Sequence, residues 1–286
     1  MTELSAEADV AAPPRSELDL TNAAAVRDAV RLLQPRAVFH LAAFSSPRLS
    51  WEQPREAVMS NMQMTLNVLE AVRTEAPGAS VVLVGSGQVY EAGGSEPVTE
   101  ATPLDPPSPY AVSKAASDML GAQYASGHSL RVMRLRPFNH AGPGQSEEYV
   151  LSTLTRQVAE AEASGAVDAV LHTGDTSSAR DFTDVRDVVH AYVLAAEAEP
   201  DVYNVCSGSC TTVAELIELL SVCAAVPIRH EVDPQRLRAH DARAIRGSHD
   251  RLTAATGWEP RIALEQTVRD TLDWWRGQLG AERNGH

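Results

Sequence analysis

The sequence predicts an α/β fold, a doubly wound parallel sheet joined to a smaller C-terminal lobe. Three observations carry this. Short apolar runs alternate with amphipathic helical stretches in the order β-α-β-α, which calls for crossover helices and a parallel sheet. The 286 residues are 44% hydrophobic and 22% charged, a length and composition that suit one large α/β domain or up to two domains. Beyond Pro137 the texture changes to shorter segments richer in Gly, Pro and Asp.

The elements follow in order. Residues 23–34 (AAAVRDAVRLLQ) space their apolar positions for a helix, and 36–43 (RAVFHLAA) form an apolar run of strand length. A long helix is expected over about 54–73, then a buried strand at 80–85 (SVVLVG). Ser108 is a capping residue and Pro109 fits a first helical turn, so a helix starts there. Residues 130–136 (LRVMRLR) read as the next strand. Helices at about 147–163, 184–198, 212–224 and 264–277 are separated by brief strands. This divides the chain into a sheet domain at 1–145, with later segments around 168–206 returning to the sheet, and a lobe at 146–286 that mainly serves the substrate. The ligand cleft is expected between them, at the carboxyl ends of the strands.

Charge narrows the partners. With 24 basic and 38 acidic residues the formal net charge is −14, which repels phosphate polymers and anionic bilayers. Neither nucleic acid nor a membrane is an expected partner, and no apolar run reaches the roughly 18 residues of a membrane span. The opening MTELSAEADV has no apolar core of a signal peptide, so a cytoplasmic location is expected. Cys206, Cys210 and Cys223 lack metal-ligand spacing and read as free thiols. His40 and His140 lack an H-E-x-x-H pattern and read as scaffold, so no metal is expected.

Lys114 is the only lysine, every other basic residue being Arg. Codon bias accounts for the missing lysines; retention of one suggests a place where an ammonium cannot become a guanidinium. Tyr110 and Lys114 stand four apart in S-P-Y-A-V-S-K, which on a helix puts both on one face. An ammonium beside a phenol favours the phenolate, so Lys114 is expected to lower the Tyr110 pKa from its usual value of about 10. Ser86 ends a buried strand in V-G-S-G-Q-V-Y, placing a hydroxyl near the same substrate oxygen. Such a Tyr can give or take a proton at a carbonyl or alcohol oxygen. The competing reading is a Tyr–Lys pair on a solvated helix face.

These residues resemble the extended short-chain dehydrogenase/reductase family, in its sugar-nucleotide-modifying class with a Rossmann-like domain. The resemblance runs through D-L-T-N at 19–22, H-L-A-A at 40–43, V-G-S-G-Q-V-Y at 84–90, S-P-Y-A-V-S-K at 108–114, R-P-F-N-H-A-G-P-G-Q at 136–145, R-D-F-T-D-V-R-D at 180–187 and Y-N-V-C-S-G at 203–208. It implies Ser86, Tyr110 and Lys114 as the catalytic residues of a 4-ketoreductase acting on a GDP-linked 4-keto-6-deoxy-mannose. It implies NADP or NAD as cofactor, held by Arg15, Asp19, Leu20, Ala42, Ala43, Pro137 and Phe138 together with Tyr110 and Lys114. Arg15 tilts the choice toward NADP, since a guanidinium there can meet a 2′-phosphate. The nucleotide-sugar substrate would be met by Ser86, Asn139, Val150, Arg180, Arg238 and Asp241, although the R-P expected at Arg238 is R-A here. A homodimer is implied, through the small-residue stretch Ala115 to Tyr124.

Two alternatives stand beside the reductase: a sugar-nucleotide epimerase of the same family, and a non-catalytic nucleotide-sugar-binding relative. Dehydration is disfavoured, because the acid pair that dehydratases place after the hydroxyl is Gly87 and Gln88 here. The family's opening strand, its G-x-x-G-x-x-G turn and the following helix have no counterpart, and no glycine precedes Gly78. Residues from about Asp9 to Leu20 then read as the second strand and its loop. Three arrangements are open. The reading frame begins upstream, the sheet closes over the gap, or a partner supplies the element; the first is preferred. Without that element the strands that flank it each lose a hydrogen-bonding neighbour, so the gap has to close or fill.

Overall fold

The computed structural model describes residues 9–90, 96–236 and 245–284. The first half comprises α1 (Ala23–Leu33), β1 (Ala37–His40), α2 (Pro47–Glu52), α3 (Pro54–Glu75), β2 (Ser80–Val84), α4 (Pro109–His128) and β3 (Arg131–Pro137). Then come β4 (Asn139–Ala141), α5 (Val150–Ser164), β5 (Ala169–Thr173), β6 (Ala179–Asp184), α6 (Val185–Ala195) and β7 (Val202–Val205). The chain continues with β8 (Cys210–Thr212), α7 (Val213–Cys223), β9 (Ile228–Val232), α8 (Asp250–Thr256) and α9 (Leu264–Asn284).

Strands β1, β2, β3 and β7 form one parallel sheet in the order β1-β2-β3-β7. Its register sets Ala37 beside Ser80, Val81 beside Val132, and Leu135 beside Tyr203. Alternation along β2 and β3 divides the core into two layers. Val81, Leu83 and Val132 pack with Val26 and Val30 of α1, Leu69 and Val72 of α3, and Tyr124 of α4. Val82, Met133 and Leu135 pack on the opposite face with Val188 and Ala191 of α6, and with Leu252 and Trp258. Burying each such Val or Leu contributes about 1.5–3 kcal/mol, so helices on both faces are held by the same strands.

Local signals place the helix ends. Asn22 accepts from Ala25 N at the start of α1, Ser46 from Leu49 N at α2, and Ser108 from Ala111 N at α4, with Pro47 and Pro109 in the first turns. Thr212 and Glu215 form a reciprocal cap at α7. The later strands build two small sheets, β4-β6-β8 and β5-β9. Over them α5, α7 and α9 enclose Leu151, Leu154, Leu171, Leu216, Leu220, Val268 and Leu272. Arg276 of α9 grips Glu162 of α5 through two hydrogen bonds of 2.7 and 2.8 Å.

Two expectations are corrected. Residues 9–22 hold no strand. Pro13 and Pro14 have no N–H for a ladder, and the Pro14 carbonyl instead accepts from Glu17 N and Leu18 N in a turn. The strand expected at 36–43 is only β1, and three of its four residues are half-buried. It is the edge of the sheet, pairing β2 alone among the described residues.

Candidate active site

The site forms where β2 ends beside the start of α4. After Val84 the chain reads Gly85-Ser86-Gly87, and both glycines are needed for close approach. Gly85 N donates to Leu135 O at 2.7 Å, and a Cβ on Gly85 would lie 2.9 Å from that oxygen. A Cβ on Gly87 would meet the Phe138 ring at 2.8 Å. The chain therefore descends against β3 and turns Ser86 toward α4. Ser86 caps a short 3-10 turn, Gly87–Val89, its Oγ accepting from Gln88 N at 3.1 Å.

Tyr110 lies in the first turn of α4 and Lys114 one turn on, and the Lys114 Nζ is 6.0 Å from the centre of the Tyr110 ring. The Ser86 hydroxyl lies close enough to the Tyr110 phenol to favour its ionised form. Lys114 is buried, and its Nζ donates to Val84 O at 2.8 Å. Burial lowers the Lys114 pKa to about 8.

The expected lowering of the Tyr110 pKa is reversed. Burial pushes the phenol up to about 12; the nearby Ser86 hydroxyl pulls it part of the way back, and Tyr149 adds to the rise. The Lys114 ammonium is turned to the Val84 carbonyl instead of the phenol oxygen. Near neutral pH the site thus holds a protonated phenol beside a hydroxyl, with an ammonium one turn behind. A protonated phenol beside a hydroxyl can donate a proton to an oxygen placed between them.

The other sequence-predicted residues fall into groups. Pro137 and Phe138 are buried at the end of β3, with Phe138 against Gly87. Asn139, half-buried, opens β4. Ala42 is exposed and Ala43 half-buried in the loop after β1. That loop is tied to α4 by Asn61, which accepts from Phe44 N at 2.7 Å and donates to Ser113 Oγ at 2.8 Å. Among the described residues, no hydrogen bond or ion pair links Asp19, Leu20 or Arg15 to Ser86, Tyr110 or Lys114. The Asp19 carboxylate accepts from Thr21 N and Oγ1, which hold its pKa below the usual carboxylate value. Leu20 O accepts from Asn67 of α3 at 2.8 Å, and Arg15 is exposed. Val150 is the half-buried first residue of α5, and Arg180 lies half-buried on β6, donating to Ala179 O at 2.7 Å. Arg238 and Asp241 lie outside the described residues.

The sequence alone did not single out Asn61, Tyr149 or Asp181. Tyr149 precedes α5 and lies near Ser45 of the loop after β1. Its signal was an aromatic residue beside Val150. Asp181, beside Arg180, is buried and accepts four hydrogen bonds, from Ser207 N, Ser207 Oγ, Gly208 N and Gly247 N. Asn61 sits mid-helix with no local pattern to mark it.

A Ser–Tyr–Lys site at the carboxyl end of a parallel Rossmann-like sheet defines an extended short-chain dehydrogenase/reductase. Within that class the chain belongs to the GDP-mannose 4,6 dehydratase family, whose model matches residues 14–271. It is 38% identical over 252 residues to the GDP-6-deoxy-D-mannose reductase of Pseudomonas aeruginosa, a match covering 87% of this chain and 83% of that one. It is 29% identical over 247 residues to the UDP-glucose 4-epimerase of Mycolicibacterium smegmatis, covering 86% of this chain and 77% of that one. The solved structure of RMD from Pseudomonas aeruginosa complexed with NADPH superposes with a TM-score of 0.88 at 34% identity, covering 97% of this chain and 94% of that one.

Proposed function

We propose that this chain is an NAD(P)-dependent sugar-nucleotide 4-ketoreductase that converts GDP-4-keto-6-deoxy-D-mannose to GDP-D-rhamnose. The observation that carries the reading is the Ser86–Tyr110–Lys114 arrangement in a chain 38% identical to a GDP-6-deoxy-D-mannose reductase. Gly87 and Gln88, following Ser86, offer neither acid nor base for a dehydration.

The residues present fit the nicotinamide-ribose end of the cofactor. Lys114 is a buried ammonium with one hydrogen bond, to Val84 O. Its remaining donors suit the ribose hydroxyls, and an ammonium buried without a counter-ion calls for such partners. Pro137, Phe138, Ala42 and Ala43 would line the same end, and Arg15, Asp19 and Leu20 the adenosine end. Bound there, NADPH or NADH supplies hydride to C4. Ser86 and Tyr110 hydrogen-bond O4, and Tyr110 gives it the proton that completes the alcohol. Lys114 holds its charge near the phenol as that proton leaves. Arg180 and Arg238 would meet the diphosphate, for which forked guanidinium donors are suited. Asn139, Val150 and Asp241 would contact the rest of the nucleotide sugar.

The chain is proposed to dimerise through α3 and α4. Met59 and Leu66 of α3 and Val112 and Met119 of α4 are exposed at seven-residue spacings, which aligns each pair along one helix face. No helix among the described residues is long and apolar enough to cross a membrane, and the proposed setting is the cytoplasm.

The test begins with calorimetric titration of the folded chain with NADPH and NADH. Micromolar binding, followed by cofactor-consuming reduction of the keto sugar that Tyr110→Phe abolishes, supports the reading. A folded chain that binds neither cofactor overturns it. Turnover without net cofactor oxidation assigns the epimerase activity instead, which the relatives with that activity make the second reading.

A further inference from the structure

Four segments meet at the site, and each contributes one buried polar residue with no part in the proposed chemistry. Asp118 stands one helical turn beyond Lys114 on α4, Arg136 immediately precedes Pro137 on β3, Tyr90 follows Ser86 by four residues, and Asn204 lies on β7. All four are buried. Arg136 binds Asp118 bidentately, Nε to Oδ2 at 2.8 Å and Nη2 to Oδ1 at 3.1 Å. Its Nη1 donates to the Tyr90 hydroxyl at 2.8 Å, and that hydroxyl donates to Asn204 Oδ1 at 2.6 Å. Asn204 then donates to Val98 O and Ser248 O, and its own N–H reaches Glu100. Arg134 adds a second guanidinium at Asp118 Oδ1, 2.8 Å away.

We propose that this chain of contacts is a frame that sets the relative position of Ser86, Tyr110 and Lys114, with Asp118 and Arg136 as its positioning residues. Stability is a poor reason to keep such a group. A buried ion pair does little better than apolar residues of the same shape. Its distinctive property is geometric. Apolar layers tolerate small slides, whereas a forked guanidinium on a carboxylate is satisfied at one distance and one orientation. Here the fork joins α4, which carries Tyr110 and Lys114, to β3. The third donor joins β3 to Tyr90, on the segment that carries Ser86. Arg136 and Asn204 are register partners, so β7 closes the frame. Phe138 lies between its parts, with its ring 6.2 Å from that of Tyr90 and against Gly87.

The kinetic arm of the test rests on the reductase reading; a second arm does not. Because Lys114 is the only lysine, a chain grown on 13C,15N-lysine gives one side-chain signal, and its pH midpoint reports the Lys114 surroundings. In Arg136→Met that midpoint is expected to move by at least about half a pH unit. The same variant should lose about ten-fold in kcat with KM changed less than about three-fold. Arg136→Lys restores part of both, and Tyr90→Phe, which deletes one oxygen, shifts both in the same direction by less. Should Arg136→Met fail to fold by circular dichroism, Tyr90→Phe carries the test with the same two measurements. Wild-type midpoint and wild-type kcat in a folded variant overturn the frame, whatever its melting temperature. If the wild-type chain turns over no keto sugar, the reductase reading fails while the Lys114 midpoint still decides the frame.

Discussion

Lys114 lays its ammonium 2.8 Å from the carbonyl oxygen of Val84, in a site where burial alone accounts for its lowered pKa. A buried charge facing only a neutral dipole is held against its solvation, as expected of a group waiting for a ligand. The folded-state pKa is about 8 against an ordinary 10.5, so the folded chain releases this proton before the unfolded chain does. The strain is full below pH 8 and fades as pH rises toward 10.5. Lys114→Met is therefore expected to stabilise the chain by up to about 3 kcal/mol near neutral pH, raising Tm by several degrees while abolishing turnover. The gain should shrink in melts above pH 8. A lower Tm at pH 7 would sink this account.

Tyr110 stays protonated to about pH 12, whereas Lys114 loses charge near 8. The alkaline limb of kcat/KM in the free enzyme should follow Lys114. Activity is expected to fall as pH rises through about 8, with no separate limb from Tyr110 below about 10. Tyr110→Phe should lower kcat about 10²–10⁴-fold. Ser86→Ala should lower it about 10²-fold. Steady-state kinetics from pH 6 to 10, with calorimetry of each variant, checks all three.

Gly87→Ala forces a methyl to within 2.8 Å of the Phe138 ring. The ring is buried and cannot swing freely, so the strain falls on the turn that aims Ser86. The variant is expected to lose about 1–3 kcal/mol of stability and most of its activity. A thermal melt beside a kcat measurement reads both, and full activity at wild-type Tm would show that the ring gives way.

Each oxygen of Asp181 accepts two hydrogen bonds, Oδ1 from Ser207 N and Oγ, Oδ2 from Gly208 N and Gly247 N. An amide cannot copy this. Either orientation of Asp181→Asn turns an NH₂ toward backbone donors that then lose their acceptor. The expected loss is about 2–3 kcal/mol, measurable by urea denaturation. An Asp181→Asn chain as stable as wild type would mean that these loops re-pair elsewhere.

The strands of the large sheet were legible because each is a short apolar run, and Val81, Val82 and Leu83 need apolar neighbours on both faces. Ser108, Pro109, Tyr110 and Lys114 were legible because capping and the helical repeat are local rules. The direction of the Tyr110 pKa was not. It depends on how deeply the phenol is buried and where the Lys114 ammonium points, and neither is a property of spacing. Residues from about Asp9 to Leu20 were misread as a strand and its loop because the reading came from the resemblance, and a family pattern does not guarantee a ladder partner in this chain. Asn61 and Asp181 were invisible for a related reason: their partners, at Phe44 and Ser113 or at Ser207, Gly208 and Gly247, are distant in the chain and mostly backbone.

The burial of Lys114 has a practical corollary. It is the only side-chain amine in the sequence, and it is buried. Amine-directed crosslinkers, biotin esters and acetyl donors find no reactive side chain on the outer surface of this protein. Under the proposed reading, the cofactor whose ribose Lys114 would hold covers that amine and shields it from such reagents. Protection from such a reagent is then a direct measure of occupancy.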